Sequence, residues 1–201
     1  MRLRIVTAVM LLSFLLTSLF TNQSSYAATI KPITDPLKPW TITFSKDVSD
    51  EKSNLQLINI QSKNKMLSLT VSADSTKVIV NPTNPYLFGE TYKLTIPAMF
   101  KASSGKVLNK EVTKEFIMTG KYIKDVSANL NPLATTISIT TTPEIASASY
   151  SINNGSNIKL IRSDMNGFSK GQTGLAKGAL LTIKVFDVNN NLIETQYYEV
   201  K

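Results

Sequence analysis

The sequence predicts an all-β protein that folds into two antiparallel β-sandwich domains in tandem. Three observations lead to this prediction. Apolar and polar residues alternate with a period of two along most of the chain, as in strands with one buried and one hydrated face. Runs rich in Gly, Pro, Asn, Asp and Ser separate these segments at nearly regular spacing. Beyond residue 28 no convincing apolar stripe of helical period occurs, and this combination is typical of a sandwich.

The amino terminus has the three-part organisation of a secretory signal peptide. Two arginines within the first four residues supply a cationic start, and an almost wholly apolar run follows up to residue 20. A polar stretch then ends in small residues at the positions that a signal peptidase reads. We therefore predict a signal peptide at residues 1–27, cleaved between Ala27 and Ala28. The apolar run of about 16 residues is shorter than the roughly 20 that span a bilayer, so we expect no transmembrane span after processing.

Residues 28–120 are predicted to form the first sandwich. Alternation is regular at residues 40–44 and 92–96, and it is less regular at residues 55–60. Segments rich in turn-forming residues separate these strands from their neighbours. The remaining predicted strands of this domain cover residues 67–71, 78–80 and 112–118.

Residues 121–201 are predicted to form a second, smaller sandwich. The Asn154-Gly155 pair stands between two alternating runs, which favours a hairpin because a type I′ turn needs two positive φ angles. Residues 187–191 are predicted to form a second hairpin loop, and several glycines between residues 166 and 178 indicate further loops. The predicted strands cover residues 121–131, 137–140, 148–152, 157–161, 180–186 and 192–200.

Five phrases of the first half carry a family resemblance. They are an opening strand, a central hairpin, a Leu-Phe-Gly-Glu-Thr-Tyr-Lys-Leu-Thr-Ile phrase, a closing turn and a last strand, at residues 40–48, 67–82, 87–96, 101–108 and 116–120. In this order they resemble the bacterial Ig-like domain of the SbsA type, which occurs in surface-layer and other exported bacterial proteins. The closing turn departs from the family by having Ser103 and Ser104 where Asp and Asn are common. The resemblance covers residues 36–120 and implies an Ig-like sandwich that serves as a structural or binding module. The second half is only generically Ig-like.

Two residue types are missing from the chain, and their absence excludes most catalytic chemistry. The sequence has no His and no Cys. It therefore has no imidazole base, no thiol nucleophile and no thiolate or imidazole metal ligand. We expect no enzymatic activity and no cofactor.

The acidic segments are interpreted as ordinary loops. Asp47, Asp50 and Glu51 stand beside two lysines, so we interpret them as a solvated loop rather than an acid–base pair or cation site. From Asp187 onward, oxygen-bearing side chains alternate as in a calcium loop, but Leu192 stands where such a loop needs Gly. A plain hairpin turn is the interpretation we adopt.

The charge of the chain suggests anionic partners at the cell surface. The full sequence carries a net charge of +8, and loss of the two signal-peptide arginines lowers it to +6. Lysines cluster at residues 63–65 and 101–110, yet Arg162 is the only arginine left after processing, which argues against nucleic acid. We expect a secreted or cell-wall-associated protein, of Gram-positive type because it lacks Cys. Its expected partner is a cell-envelope protein or an anionic wall polymer.

The aromatic residues support an alternative function. The leading hypothesis is an exported non-catalytic Ig-like protein for envelope structure, adhesion or protein binding. The alternative is a secreted carbohydrate-binding or enzyme-accessory module that uses Phe168, Tyr197 or Tyr198 as a platform for sugar. For Tyr86 and Phe88, in a Pro-rich segment, the sequence leaves exposure and loop anchoring open. The aromatic residues predicted to lie in the core are Trp40, Phe44 and Tyr92.

Processing gives the first testable prediction. Expressed in a Gram-positive host, the protein should appear in the medium or the wall with Ala28 as its amino-terminal residue. Mass spectrometry of the intact protein measures this directly. An intact Met1 in a membrane fraction would contradict it.

Overall fold

The computed structural model describes residues 30–63 and 65–201 and consists almost entirely of strands. The predicted signal peptide and the Ala27–Ala28 cleavage site lie outside these residues. In the part that is described, none of the helical structure has the length and the apolar character needed to cross a bilayer. Residues 30–63 and 65–201 form four sheets, two in each half, and these confirm the predicted all-β class with Ig-like sandwiches in tandem.

The first half packs a five-stranded sheet against a three-stranded one. Its elements are β1 (Lys31–Ile33), β2 (Trp40–Thr43), α1 (Lys52–Leu55), β3 (Asn59–Ser62), β4 (Lys65–Met66), β5 (Leu69–Asp74), β6 (Lys77–Pro82), β7 (Thr91–Ile96) and β8 (Val112–Met118). The larger sheet has the order β1-β8-β7-β3-β4, and the smaller has the order β2-β6-β5. All pairs are antiparallel except β1 with β8. The short parallel strand β1 was not predicted, because three residues that include a proline show no alternation.

The strand predicted at residues 55–60 is misplaced. Leu55 ends the helical turn α1, and the strand runs over Asn59–Ser62 instead. The buried side chain of Asn54 explains the turn. It donates to the Ser49 and Lys101 carbonyls and accepts from the Lys101 N–H. An Asn side chain that satisfies three backbone groups stabilises a turn where the apolar pattern alone suggests a strand.

The second half consists of two four-stranded sheets. Its strands are β9 (Ile123–Asn129), β10 (Thr135–Thr141), β11 (Ser147–Ile152), β12 (Ile158–Lys159), β13 (Ile161–Arg162), β14 (Gly167–Gln172), β15 (Leu180–Phe186) and β16 (Leu192–Glu199). The sheet orders are β13-β14-β10-β9 and β12-β11-β15-β16, and every pair is antiparallel. One segment, residues 158–162, contributes β12 to one sheet and β13 to the other. It therefore connects the two sheets along one side of the sandwich.

Two details of the second half differ from the prediction. Strand β14 occupies a stretch that was predicted to be loop, because its two glycines and its Ser-Lys pair conceal the alternation. The turn after β11 has its positive φ angles at Asn153 and Asn154 rather than at Gly155. Asn tolerates the left-handed region almost as well as Gly does, so the hairpin forms one residue earlier. The hairpin at residues 187–191 is confirmed.

The first core is built around an aromatic cluster. The ring of Phe116 lies 4.8 Å from Trp40, 5.1 Å from Tyr86 and 5.5 Å from Tyr92 between centroids. The Trp40 indole N–H donates to the Tyr86 hydroxyl, and the Tyr92 hydroxyl accepts from the Leu87 N–H. Burial raises the pKa of Tyr86 and of Tyr92 to about 12, so both stay neutral across the physiological range. Tyr86, whose exposure the sequence left open, is therefore an anchor of the first core.

Phe88 contributes to the core of the other sandwich. It is 9 % exposed, and it belongs to the buried cluster of the second half rather than to the first core. Its N–H donates to the carbonyl of Tyr197, in the edge strand β16, at 2.7 Å. Because β9 and β16 are the outer strands of their sheets, Phe88 fills the side of the sandwich opposite the connecting segment 158–162. The two halves therefore share one aromatic side chain.

The connection between the halves is fixed by one carboxylate. Glu194 accepts from the N–H groups of Lys121, Tyr122 and Ile123 at 2.7–2.8 Å. A Cβ at Gly120 would overlap the backbone oxygen of Ile123 and come within 3.2 Å of Glu194 Oε1, so only glycine fits there. The domain boundary after residue 120 stays a prediction, although this ordered connection lies at the expected place.

Removal of the Phe88 ring should destabilise the second sandwich more than the first. We expect Phe88→Ala to lower the free energy of unfolding of the second sandwich by about 3 kcal/mol, the usual cost of deleting a buried phenyl ring. Hydrogen exchange followed by mass spectrometry reads the two sandwiches separately, and the fluorescence of Trp40, the single tryptophan, reports on the first.

Phe44→Ala is the matched control, because Phe44 stacks on Phe100 at 5.3 Å within the first core. It should destabilise the first sandwich instead. Fragment 121–201, which lacks Phe88, should be less stable than the same residues in the whole chain. Equal stability of fragment and chain would show that Phe88 does not support the second core.

Candidate functional site

Of the three residues predicted to face a ligand, Phe168 does not do so. It is 2 % exposed and belongs to the second core. The guanidinium of Arg162 lies over its ring at 4.4 Å from the centroid, as in a cation–π contact. Because one face is covered by Arg162 and the ring is otherwise buried in the core, no sugar can stack on it. The expectation for Phe168 is corrected: its position at the second residue of β14 places it inward.

Tyr197 and Tyr198 are both half-buried, and they lie on opposite faces of strand β16. Tyr198 packs against the second core. Tyr197 pairs with Thr182, and Thr182 pairs with Ser151, so these three residues lie in one row across three strands. Their row is on the outer face, because the neighbouring residues of β15 point into the core. The two tyrosines therefore cannot form one joint platform.

A basic cleft lies beside Phe168, where the connecting segment 158–162 passes between the two sheets. It has a volume of about 400 Å³ and is open to solvent on one side. Lys159, Arg162 and Lys170 supply three cations to its lining, Ser147 supplies a hydroxyl, and the rest is apolar. The lining contains no carboxylate. The sequence did not predict the cleft, since Lys170 lies in the strand that was interpreted as loop.

Arg162 has a structural role in the cleft wall. Its Nη1 donates to the Met165 carbonyl at 2.6 Å, and its Nη2 donates to the carbonyls of Ile145 and Ala146 at 2.6 and 3.1 Å. These bonds tie the loop before β11 to the turn before β14. The guanidinium is consequently held in one orientation, a property that favours recognition of planar or tetrahedral anions.

Carboxylates of both acidic loops accept hydrogen bonds from other residues of the chain. Asp187 accepts from the N–H groups of Asn189 and Asn191 and from the Asn191 side chain. These hydrogen bonds hold the pKa of Asp187 below its ordinary value, and both carboxylate oxygens serve the hairpin turn. Asp47 accepts from the Ser75 hydroxyl at 2.8 Å. Over residues 30–63 and 65–201, no group of three acidic side chains is placed to hold a metal ion.

A second charged group, the Glu90 cluster, lies where the halves meet. One oxygen of Glu90 accepts from the Ser62 hydroxyl at 3.0 Å and pairs with Lys63 at 3.5 Å; the other pairs with Lys201 at 3.0 Å. Partial burial opposes the charged form of Glu90. The hydrogen bonds from Lys201 and Ser62 and the charges of Lys201 and Lys63 outweigh that effect and hold its pKa below the ordinary value. The positive charge of the basic cluster at residues 63–65 is thus partly neutralised by Glu90.

The first half matches a known family. Residues 33–119 match the family model described as a bacterial Ig-like domain. The match confirms the resemblance that the five sequence phrases indicate for residues 36–120. In a comparison with curated proteins, none matched this chain.

Several solved structures are similar to the chain at low identity. One is the crystal structure of the N-terminal part of the bacterial S-layer protein SbsC, with 14 % identity over 85 % of this chain and 42 % of that one, and a TM-score of 0.38. Another is pullulanase type I from Bacillus subtilis str. 168 complexed with maltose, with 14 % identity, coverage of 83 % and 24 %, and a TM-score of 0.27. A third is pullulanase complexed with maltotetraose from Anoxybacillus sp. LM18-11, with 12 % identity, coverage of 82 % and 23 %, and a TM-score of 0.30. The chain spans less than half the length of each.

The Glu90 cluster should make the stability of the protein depend on pH. A carboxyl whose pKa is lower in the folded state stabilises the fold above its unfolded pKa, and the stabilisation is lost as the pH falls through the folded value. Glu90→Gln should therefore cost about 1 kcal/mol at neutral pH, and this cost should diminish as the pH falls from 4.5 through the lower pKa of Glu90 in the folded state. Urea unfolding followed by circular dichroism at both pH values measures the difference.

Glu111→Gln is the matched control, since Glu111 pairs with Lys93 at 3.7 Å with half of its side chain exposed. Its effect should be small at both pH values. If the cost of Glu90→Gln were the same in acid as at neutral pH, the charge of Glu90 would not be the stabilising feature.

Proposed function

We propose that this chain is an exported, non-catalytic Ig-like protein that serves in the bacterial cell envelope as a structural or adhesive binding module. The observation that carries the proposal is the bacterial Ig-like domain at residues 33–119, joined through an ordered connection to a second sandwich. The absence of His and Cys from the sequence removes the usual catalytic groups.

The contacts between the halves suit a module that has to keep its shape. Phe88, Glu194 and the Glu90 cluster connect the two sandwiches through a shared core residue, backbone hydrogen bonds and ion pairs. In addition, Gln196 of β16 is fully buried, and its side-chain N–H donates to the Thr34 carbonyl of the first half at 3.3 Å. Several independent contacts reduce the freedom of the two domains relative to each other. A tandem of this kind presents its surfaces at a fixed spacing.

The positive charge gives the proposal a ligand class. Wall polymers that carry phosphate or carboxylate groups attract a protein of net charge +6 through largely solvated contacts. Such attraction acts over the Debye length, which falls from about 10 Å at 0.1 M salt to about 3 Å at 1 M. If the partner is instead a protein of the envelope, we expect it to bind the same positively charged surfaces through a negatively charged surface of its own.

A carbohydrate-binding role is the second candidate, and the outer face of the β16 sheet favours it. There Tyr197 is half-buried and lies beside a row of partly exposed residues, Thr195, Lys184 and Ser149, whereas Thr182 and Ser151 in its own row are buried. An aromatic ring beside partly exposed hydroxyl groups is a suitable surface for a sugar ring. A glycan array distinguishes the candidates, since saturable binding that Tyr197→Ala abolishes would favour carbohydrate.

Binding to walls should depend steeply on salt. We expect the processed chain to sediment with purified Gram-positive walls at 0.1 M salt and to be released as the salt approaches 1 M, because the contacts are mainly between solvated charges. Sedimentation followed by quantification of the supernatant measures this. Walls stripped of their anionic polymer are the control and should retain little protein.

Two results would contradict the electrostatic mechanism. No sedimentation at 0.1 M salt would leave the positive charge as a device for solubility only. Retention on stripped walls at 1 M salt would show that a neutral wall component is the ligand.

A further inference from the structure

We propose that the basic cleft of the second sandwich binds a phosphate group of a polyol- or sugar-phosphate polymer. This inference rests on the proposed function, and it assigns the ligand contact to the cleft lined by Lys159, Arg162, Lys170 and Ser147.

The two lysines of the cleft are available to a ligand. Within residues 30–63 and 65–201, neither Lys159 nor Lys170 forms an ion pair with a carboxylate. Lys170 lies on the same face of β14 as the buried Phe168, two residues away, and it is half-buried. An anion in the cleft would therefore pair with these ammonium groups without displacing a carboxylate.

Arg162 adds a fixed donor group. Three of its five N–H groups are used for the Met165, Ile145 and Ala146 carbonyls, and the remaining two have no acceptor in the described part of the chain. Because those three bonds and the Phe168 ring hold the guanidinium in place, little side-chain entropy remains to be lost when an anion binds. The Ser147 hydroxyl is a further donor beside it.

The lining favours phosphate within a larger chain over a small free anion. A cleft of about 400 Å³ is much larger than one phosphate group, and its open side lets a polymer enter and leave. The accessible apolar part of the lining, formed by Ala146 and Ile161, suits the carbon skeleton of a polyol or a sugar between phosphates. Three cations around one pocket match the repeated single charges of a phosphodiester chain.

The test uses the processed whole chain and poly(glycerol phosphate) as the probe, with titration calorimetry at low salt. The double variant Lys159→Gln/Lys170→Gln removes both ammonium groups and keeps polar side chains of similar reach. We expect its affinity to fall by about tenfold or more, because it loses charge-assisted hydrogen bonds within a confined site. Unchanged thermal unfolding would show that the variant is folded, as expected for lysines without ion pairs.

The control variant is Lys106→Gln/Lys110→Gln, which carries the same net charge and changes two exposed lysines of the first half. Its affinity should change by no more than about twofold, since it alters only the diffuse attraction. Equal losses in the two variants would overturn the cleft as the site and leave general electrostatic attraction as the mechanism.

Two further probes test the chemistry. Inorganic phosphate should compete with the polymer, and poly-L-glutamate of matched length should bind more weakly. Binding of poly-L-glutamate as tight as that of the phosphate polymer would overturn the assignment to phosphate. If poly(glycerol phosphate) does not bind while walls still sediment the protein, the cleft proposal fails and the proposed envelope function remains.

Discussion

The carboxylate of Glu194 is the interaction on which the arrangement of the two sandwiches depends. It lies in the last strand of the chain, yet it satisfies three consecutive N–H groups at residues 121–123, where the chain enters the second sandwich. An ionised acceptor makes stronger hydrogen bonds than a neutral one, about 1.5–3 kcal/mol each. The same geometry requires glycine at position 120, because a side chain would collide with the backbone at Ile123. A linker of this kind has one conformation rather than many.

The ordered linker explains why Phe88 can belong to the core of its neighbour. A sandwich made of two four-stranded sheets has two open sides between its outer strands. On one side the segment 158–162 crosses from sheet to sheet. On the other side Phe88 fills the gap, and its N–H pairs with the Tyr197 carbonyl on the edge strand β16. A small domain buries a modest share of its surface, so one additional aromatic ring is a substantial part of its core.

The sequence predicted the fold class and most of the strands. In a half-buried strand, apolar residues on the buried face alternate with polar residues on the hydrated face, and this alternation is visible in the sequence. The prediction failed where another interaction overrides that pattern. Residues around Leu55 turn because Asn54 binds three backbone groups, and β14 was missed because its glycines conceal the alternation. The sites depend on contacts between residues far apart in sequence, such as Glu90 with Lys201. No local pattern predicts such a pair, and none predicts that Phe168 is buried beneath the Arg162 guanidinium.

The distribution of paired and unpaired cations distinguishes the two charged regions of the molecule. Lys65 and Lys201 pair with Glu199 and Glu90 across the two halves, and Lys63 pairs with Glu90 within the first half, so their charge is used within the protein. Lys159 and Lys170 face a cleft whose lining has no carboxylate, and Arg162 is fixed there by backbone carbonyls rather than by an acid. Net charge alone does not separate these roles, because all six residues count equally in a composition. The segment 158–162 determines where the basic cleft forms. It passes from one sheet to the other along one side of the sandwich, and there the three cations line one cavity.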